Sequence, residues 1–331
     1  MNFLRRFIPL GLCLIAWTTG ATAAEAPAGY LFATFRNGDN PMAEQIYLGL
    51  STDGRKWSAL NRGEPVLTST IGDKGVRDPY LLRAQDGKTF YLIATDLSIH
   101  HTKDWRRAVT QGSRAIIIWE STDLVRWSRP RRVEVAPEDA GCTWAPEAIY
   151  DAEKGDYLVF WASTTKRDDF AKHRIWAART KDFRTFSAPF IYIEKPNTII
   201  DTTIVRDGQK YYRFTKDEKF KAITMETSPR LEGPWTDVPN FSLAKMVGYE
   251  GPEAYVIEPG DGKRPPVWTL ILDYYSKGLG YQPFVTKDLA SGQFEASGDF
   301  SFPFEFRHGS ILPLSDEELA RIRAAYPDTP K

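Results

Sequence analysis

The sequence predicts an all-β protein, a five-bladed β-propeller, on the strength of two observations. Strand-like segments dominate the chain: they are short, rich in β-branched and aromatic residues, and bounded by Gly, Asp or Pro. In addition, one octapeptide recurs, first as STDGRKWS at 51–58 and then as STDLVRWS at 121–128. Looser copies begin at Thr180, Thr227 and Thr286. Five copies spaced roughly 50 to 70 residues apart fall near the repeat length of propeller blades.

Each blade is expected to hold four strands in chain order. An inner strand opens the blade, a second follows a Gly turn, a third precedes the octapeptide and a fourth follows it. Complete blades are predicted to begin near Asp78, Trp144, Asp201 and Glu250. The fifth blade must be shared, with the N-terminal segments YLFATF and EQIYLGLS pairing with the C-terminal segment HGSILPL. Closure by the two chain ends would remove an exposed sheet edge.

A short C-terminal helix completes the predicted fold. The segment SDEELARIRAAY has helical periodicity, with Ser315 placed to cap the helix and Glu318 at the matching capping-box position. The octapeptides are interpreted as turns between third and fourth strands. In each turn the Asp would bind nearby backbone N–H groups, and the Trp or Phe would pack between blades. The number of octapeptides therefore gives the number of blades. The turns are expected to lie on the face opposite to the starts of the inner strands.

The N-terminus predicts an exported protein. Arg5 and Arg6 precede an apolar run from Phe7 to Trp17, and small residues follow up to Ala23. This pattern is typical of a cleaved secretory signal at residues 1–23, and its apolar core is shorter than a spanning helix needs. Residues 24–331 are then expected to form a single catalytic domain, periplasmic or extracellular, without membrane association after signal removal.

Composition narrows the range of partners. Lys plus Arg and Asp plus Glu number 43 each and form no basic block, which argues against nucleic acid as a partner. After residue 23 only Cys142 remains, so no internal disulfide can form. An aromatic content of 13% suits a surface that handles sugars. We expect a monomer that acts on an oligo- or polysaccharide.

Charged side chains recur at the predicted starts of the inner strands. These starts read VRDP with Asp78, TWAPE with Trp144 and Glu147, IIDTT with Asp201, YEGPE with Glu250 and Glu253, and FRHGS with Arg307 and His308. Taken singly, an Asp-Pro can simply begin a strand, a Glu can be an ion-pair partner, and a His can be a core residue. Taken together, they would crowd carboxylates around one axis, which is costly unless the charges are used or compensated.

Separated carboxylates around a pocket are what glycoside hydrolysis requires. One carboxyl group protonates the leaving oxygen, and an ionised one activates water. In inverting enzymes the two stand roughly 6.5 to 9.5 Å apart, a span that neighbouring blade starts can offer. A third carboxylate near the acid is expected to raise the pKa of that acid by like-charge repulsion.

The order of these motifs (DP, WAP-acid, ID, EGP and a late HG) resembles glycoside hydrolase family 43 across the whole mature chain. The resemblance implies a five-bladed propeller that cleaves arabinose-, xylose- or galactose-containing glycans with inversion. It implies Asp78 as general base, Asp201 as the residue that tunes and orients the acid, and Glu250 as general acid. The choice of Glu250 over Glu253 rests on the resemblance alone, because GPEAY matches APEAI.

The resemblance also makes His308 a candidate ligand for a metal ion on the axis, with no other cofactor required. The sequence departs from the family pattern in three places. An extra strand pair, Tyr30 to Leu60, precedes the base motif, Thr-Thr follows Asp201, and RHGS lacks the usual Gly-Pro lead-in. The first two departures bear on sugar specificity more than on fold, and the third bears on metal binding by His308.

Loops between second and third strands should surround the pocket. The first follows Asp96 and carries Trp105, so it could wall the pocket. Trp144 and Trp119 are the better candidates for a sugar platform. The predicted substrate-binding residues are Trp144, Glu147, Asp96 and Arg307.

A pocket closed by loops favours release of single sugars from chain ends, first of all as an α-L-arabinofuranosidase on plant-type or related polysaccharides. The alternatives are a β-xylosidase, a galactosidase or galactofuranosidase of the same fold, or a propeller that binds glycan without cleaving it. A scaffold for protein partners is disfavoured by the polar octapeptide turns.

Overall fold

The computed structural model describes residues 26–326, which form five four-stranded antiparallel sheets. The strands in chain order are β1 (Gly29–Thr34), β2 (Tyr47–Ser51), β3 (Ser58–Ala59), β4 (Val76–Arg83), β5 (Phe90–Asp96), β6 (Ala115–Ser121), β7 (Arg131–Glu134), β8 (Trp144–Asp151), β9 (Asp156–Ser163), β10 (Arg174–Thr180), β11 (Phe190–Ile193), β12 (Ile199–Asp207), β13 (Lys210–Asp217), β14 (Ala222–Ser228), β15 (Thr236–Asp237), β16 (Glu250–Glu258), β17 (Val267–Asp273), β18 (Tyr281–Thr286), β19 (Glu295–Ala296) and β20 (Ser310–Leu314). Each sheet is one blade, so the predicted five-bladed β-propeller is confirmed. The predicted signal peptide, residues 1–23, lies outside the described residues.

The two chain ends close the ring. Four blades follow the chain directly, in the orders β4–β5–β6–β7, β8–β9–β10–β11, β12–β13–β14–β15 and β16–β17–β18–β19. The fifth has the order β20–β1–β2–β3, and Phe32 on β1 stands opposite Ile311 on β20. The inner strands β20, β4, β8, β12 and β16 contact one another in that order around the axis. The predicted sharing of one blade between the two chain ends is therefore confirmed.

Hydrophobic contacts between blades form the core. Every residue of β5, FYLIATD, is buried, because neighbouring blades cover both of its faces. Trp161 on β9 is likewise fully buried and belongs to one cluster with Ile116 and Ile118 of the preceding blade. Burying a side chain of this size contributes on the order of 2–3 kcal/mol. This packing fixes the positions of the inner strands without any disulfide within the described residues.

The octapeptide turns have the predicted structural role. In the 121–128 copy, Asp123 Oδ1 accepts hydrogen bonds from the backbone N–H of Val125 at 3.0 Å and of Arg126 at 2.7 Å. Asp53 and Asp182 make the same pair of bonds in their own copies. All three turns connect the third and fourth strands of their blades. These turns order the outer strands and contribute no side chain to the cavity described below.

Replacing Asp123 with Ala is expected to destabilise the protein by about 1–2 kcal/mol, because two backbone N–H groups lose their acceptor. Activity should stay unchanged. Chemical denaturation gives the change in the free energy of unfolding. Arg126→Ala is the matched control: it removes only the exposed Nε–Oδ2 pair at 2.8 Å and should cost less than about 0.5 kcal/mol. Equal losses in the two variants would contradict the turn argument.

Helices are few in the described part of the chain. The helix α3 (Asp316–Ala325) begins with the predicted capping box, in which Ser315 and Glu318 bind each other's backbone N–H groups. Two short helices that the sequence did not predict, α1 (Ile99–Thr102) and α2 (Trp105–Thr110), lie in the connection between β5 and β6. No helix within residues 26–326 has the length and apolar character to cross a membrane.

Candidate active site

Each inner strand of the four complete blades begins with a β-bulge. The ladder shifts register between Arg77 and Tyr80, Trp144 and Glu147, Ile200 and Thr202, and Glu250 and Glu253. At each bulge one residue has a positive φ: 50° at Asp78, 47° at Ala145, 50° at Asp201 and 52° at Gly251. Such backbone is strained for residues other than Gly, and bulges re-aim neighbouring side chains. The four bulges therefore define equivalent positions around the axis.

These positions divide the acidic residues into two levels. Asp78 and Asp201 at the bulge, and Glu250 just before it, line a cavity of about 700 Å³ at the mouth of the propeller. Glu147 and Glu253, which follow the bulge, are buried outside that cavity lining. The ambiguity between Glu250 and Glu253 is thereby resolved in terms of placement, because only Glu250 faces the cavity.

His308 joins the two aspartates. Its Nδ1 lies 3.5 Å from Asp78 Oδ1 and 3.8 Å from Asp201 Oδ1. The backbone N–H of Gly251 donates to Asp201 Oδ2 at 3.2 Å, which brings the Glu250 segment against the same cluster. The structure thus brings together all three predicted catalytic carboxylates from three different blades.

Asp78 is oriented from the second strand of its blade. Thr95 on β5 donates its hydroxyl to Asp78 Oδ2 at 2.9 Å and accepts the backbone N–H of Ala145 at 2.8 Å. Because Thr95 is fully buried, its hydroxyl has one fixed set of partners. Asp78 therefore has one oxygen held by Thr95 and the other directed to His308.

Glu250 lies between two cations. Its Oε2 is 2.8 Å from Lys216 Nζ, and its Oε1 is 3.1 Å from Arg307 Nη2. Burial acts to raise the pKa of Glu250, but the Lys216 ammonium and the Arg307 guanidinium outweigh it and hold the pKa below its ordinary value. The expectation that a neighbouring carboxylate would raise the pKa of this acid is wrong.

Among the three predicted catalytic carboxyl groups, the one with a raised pKa is Asp201. Burial raises its pKa to about 6, and the charges of Glu250 and Asp78 act in the same direction. The charges of His308 and Lys216 act in the opposite direction and lower the pKa of Asp201. Asp201 therefore exchanges its proton under mildly acidic conditions, next to both other carboxylates.

His308 is the residue predicted to bind a metal ion on the axis. Its Nδ1 faces the carboxylates of Asp78 and Asp201. Among residues 26–326, no three His, Cys, Asp or Glu side chains form a cluster of metal ligands. The metal-ligand role of His308 stays a prediction.

The aromatic wall of the cavity contains Trp144 and Trp105, which were both candidates from the sequence, and one new residue, His173. Trp144 lines the cavity, with its ring centroid 5.0 Å from that of His173 and 6.3 Å from that of Trp105. Trp105, at the start of α2, is 54% exposed and faces the cavity mouth. Trp119 is buried in a core cluster, so its prediction as a sugar platform is wrong.

Arg307 lines the cavity as predicted, whereas Asp96 and Glu147 do not. Asp96 is buried and accepts hydrogen bonds from the Asp73 backbone at 2.8 Å and from Ser113 Oγ at 2.6 Å. It anchors the ends of the β5–β6 connection. Glu147 is buried beside Glu253 in the hub. The substrate contacts predicted for Asp96 and Glu147 are corrected by these placements.

Sequence reasoning missed Thr95 and Lys216, which both lie on second strands and contact catalytic candidates of inner strands. Lys216 follows the buried run YYRFT in β13 and is only 2% exposed. A Lys within a strand that is otherwise buried is an available signal, since Lys is almost never buried without a partner. A Thr gives no comparable signal.

Comparisons with known proteins agree with this architecture. Residues 25–320 match a family described as a probable glycosyl hydrolase domain and related to glycoside hydrolase family 43. An α-L-arabinofuranosidase from Bifidobacterium longum subsp. longum is 31% identical over 274 residues, covering 70% of this chain and 25% of the relative. The chain thus spans about a quarter of the length of that curated relative.

Two solved structures are among those similar to this chain. An endo-1,4-β-xylanase from Bacteroides thetaiotaomicron has a TM-score of 0.54 at 14% identity, covering 85% of this chain and 92% of its own. An exo-β-1,3-galactanase from Phanerochaete chrysosporium has a TM-score of 0.49 at 19% identity, covering 70% and 51%. The first shows a shared fold. From the family match over almost all of the described residues, the chain belongs to the probable glycosyl hydrolase domain family, a family of glycosidases related to glycoside hydrolase family 43.

Proposed function

We propose that the protein is an exo-acting, inverting glycoside hydrolase that releases terminal α-L-arabinofuranosyl groups from plant-type or related polysaccharides. The observation that carries this proposal is the convergence of Asp78, Asp201 and Glu250 on one cavity of about 700 Å³. A cavity of this size accommodates a small ligand such as one or two sugar rings. The sugar is suggested by the α-L-arabinofuranosidase relative. The predicted signal at residues 1–23 supports action outside the cytoplasm.

Each carboxyl group has a distinct task in this proposal. Asp78, held by Thr95, takes a proton from the attacking water as general base. Glu250 gives a proton to the departing glycosidic oxygen as general acid. Asp201, bound to the N–H of Gly251, fixes the backbone beside the acid and adds a carboxylate charge near it. Water attacks from the side opposite to the leaving group, which inverts the anomeric centre.

The charges of the cavity favour a neutral sugar. Five Lys and Arg side chains within the described residues line it, and each lies against a carboxylate. The pairs are Arg77 with Glu44, Lys103 with Asp39, Lys216 with Glu218 and Glu250, Lys221 with Glu218, and Arg307 with Asp273 and Glu250. A uronic acid would have to displace one of these carboxylates. A neutral furanose or pyranose needs only hydrogen bonds and an apolar wall, and Trp144 offers such a wall.

The loops around the cavity support exo action. The β1–β2 connection places Asn37, Gly38 and Asp39 at the cavity. Asp39 is hydrogen-bonded to His100 and ion-paired with Lys103 around α1. On the same rim, α2 presents Trp105. The connection and the two helices wall one side of the cavity. Such walls favour a chain end over the middle of a polymer.

Replacing Glu250 with Gln is expected to lower kcat/KM on arabino-oligosaccharides about 10²- to 10⁴-fold, because the leaving oxygen loses its proton donor. The loss should be smaller on 4-nitrophenyl α-L-arabinofuranoside, whose leaving group needs little protonation. Proton NMR during hydrolysis should show β-arabinose as the first product. The control is Glu258→Gln, a mostly exposed Glu at the other end of β16, which should retain full activity.

Three outcomes would contradict the proposal. A retained anomeric configuration would exclude inversion. Activity confined to xylosides or galactosides, measured on the matching nitrophenyl glycosides, would mean that the released sugar is xylose or galactose and not arabinose. Oligosaccharide that binds and stays intact for days would identify a glycan-binding propeller without hydrolytic activity.

A further inference from the structure

Lys216 occupies the cavity beside the proposed acid but has no role in the mechanism above. Its Nζ lies 2.8 Å from Glu250 Oε2, 2.8 Å from Glu218 Oε2 and 4.3 Å from the ring centroid of Tyr275. The side chain is only 2% exposed, so this ammonium has left bulk water and depends on these partners. Lys216 stands opposite Ile200 in the β12–β13 ladder, in the blade of Asp201, and its side chain reaches Glu250 of the next blade.

The position of Lys216 conflicts with acid catalysis by Glu250 in its present arrangement. A general acid must present a protonated oxygen within hydrogen-bond distance of the leaving group. Both oxygens of Glu250 face cations, and Lys216 Nζ occupies the place at Oε2 that a leaving oxygen needs. With both oxygens paired to cations, Glu250 is an anion, and its donor position is covered.

Only one of the two cations is free to leave. Arg307 is fixed on its other side, since its Nε donates to Asp273 Oδ2 at 2.6 Å and Asp273 is fully buried. Lys216 has a flexible four-carbon stem and a second partner, Glu218, already at 2.8 Å. A small rotation of the Lys216 side chain can release Glu250 and retain the ion pair with Glu218.

Resting on the function proposed above, we propose that Lys216 is a positioning residue that covers the general acid in the free enzyme. The leaving-group oxygen of the substrate takes its place on Glu250, while the ammonium stays bound to Glu218. Without Lys216, burial prevails and Glu250 takes up a proton from solvent. The charged or titratable groups that face Glu250 are Lys216, Arg307, His308, Asp201 and Asp273.

The pH dependence of the kinetics tests this exchange. The alkaline limb of kcat/KM reports the acid in the free enzyme, and that of kcat reports it in the substrate complex. The wild type should therefore lose kcat/KM at a lower pH than kcat. In Lys216→Met the kcat/KM limb should move up by about one pH unit or more and coincide with the kcat limb. An unmoved limb would overturn the proposal.

Two further variants separate this role from a structural one. Lys221→Met is the matched control, because Lys221 pairs with Glu218 but not with Glu250, and it should leave both limbs in place. Glu218→Gln removes the second partner of Lys216, so kcat should fall about tenfold while the kcat/KM limb stays low. An unchanged kcat in Glu218→Gln would overturn the exchange. This variant also decides the question if Lys216→Met fails to fold.

A titration without substrate keeps the two proposals apart. Carbon-13 NMR of protein labelled at the Glu side-chain carboxyl carbon, assigned with Glu250→Gln, follows Glu250 directly. Its midpoint should lie below the ordinary Glu value in wild type and rise by about one unit or more in Lys216→Met. If the midpoint moves but no glycoside is cleaved, the proposed function fails and the Lys216 pairing stands. If the midpoint does not move, the inference about Lys216 is wrong.

Discussion

Replacing Asp78 with Asn is expected to lower kcat about 10³-fold, within the 10²- to 10⁴-fold range of general base catalysis, and to leave the fold intact. The amide has the shape of the carboxylate, and its oxygen can still accept the Thr95 hydroxyl, but it cannot take a proton from water. The loss should be equally large on 4-nitrophenyl α-L-arabinofuranoside and on arabino-oligosaccharides. Water activation does not depend on the leaving group, so this pattern distinguishes base from acid. Steady-state kinetics on both substrates measures it.

Thr95→Val is the companion variant. It keeps the size of the side chain but removes the hydroxyl that donates to Asp78 and accepts from Ala145. Misorientation of a base that is still present should cost about tenfold in kcat. The unpaired N–H of Ala145 should also lower the free energy of unfolding by about 1–3 kcal/mol. An Asp78→Asn protein as active as wild type would remove Asp78 from the mechanism.

Blade count and ring closure were predictable from sequence because they depend on local chemistry. In three of the octapeptides the Asp binds N–H groups two and three residues ahead, so the motif recurs where the same turn recurs. Ring closure followed from the need to pair the edge strand. The capping box of Ser315 and Glu318 is equally local. None of these predictions required knowledge of how the blades pack against each other.

The orientation of side chains at the inner-strand starts was less predictable. Whether Glu250 or Glu253 faces the cavity depends on a bulge at Gly251, which changes the simple alternation of a strand. A sequence signal for the bulge exists, since Pro79, Pro146 and Pro252 each follow the bulge residue of their strand. The sequence reasoning did not include the bulge, so it treated Glu147 as equivalent to the cavity residues. For this reason the substrate contact predicted for Glu147 was wrong.

The electrostatics of the site depended on contacts between blades. Lys216 comes from the second strand of one blade and meets Glu250 of the next, at a sequence separation of 34 residues. Spacing rules within a motif contain no information about such a pair. The pKa of Glu250 was therefore predicted in the wrong direction, because only the neighbouring carboxylates were considered.

The buried pair Glu147 and Glu253 leads to the second large prediction, which concerns stability. Burial raises the pKa of Glu253 to about 8, although the Ile311 N–H donates to its Oε1 at 2.8 Å. Burial, followed by the charge of Glu253, also raises the pKa of Glu147, whose Oε2 has no hydrogen-bond partner among the described residues. The unfolded chain releases the Glu253 proton near its ordinary pKa of 4.5, whereas the folded protein keeps it to about 8.

Between these two values the folded state binds more protons, so the free energy of unfolding must fall as pH rises through this window. For Glu253 the loss is on the order of 4–5 kcal/mol. Glu253→Gln stays neutral at every pH and can still accept the Ile311 N–H, so its stability should exceed that of wild type increasingly from about pH 5 to about pH 9. Urea denaturation across that range measures the difference. Glu138→Gln, at an exposed site, should follow wild type. Parallel curves of the free energy of unfolding against pH for Glu253→Gln and wild type would contradict this prediction. They would mean that folded Glu253 already loses its proton at low pH, so that the buried pair is charged and its charges are compensated by other groups.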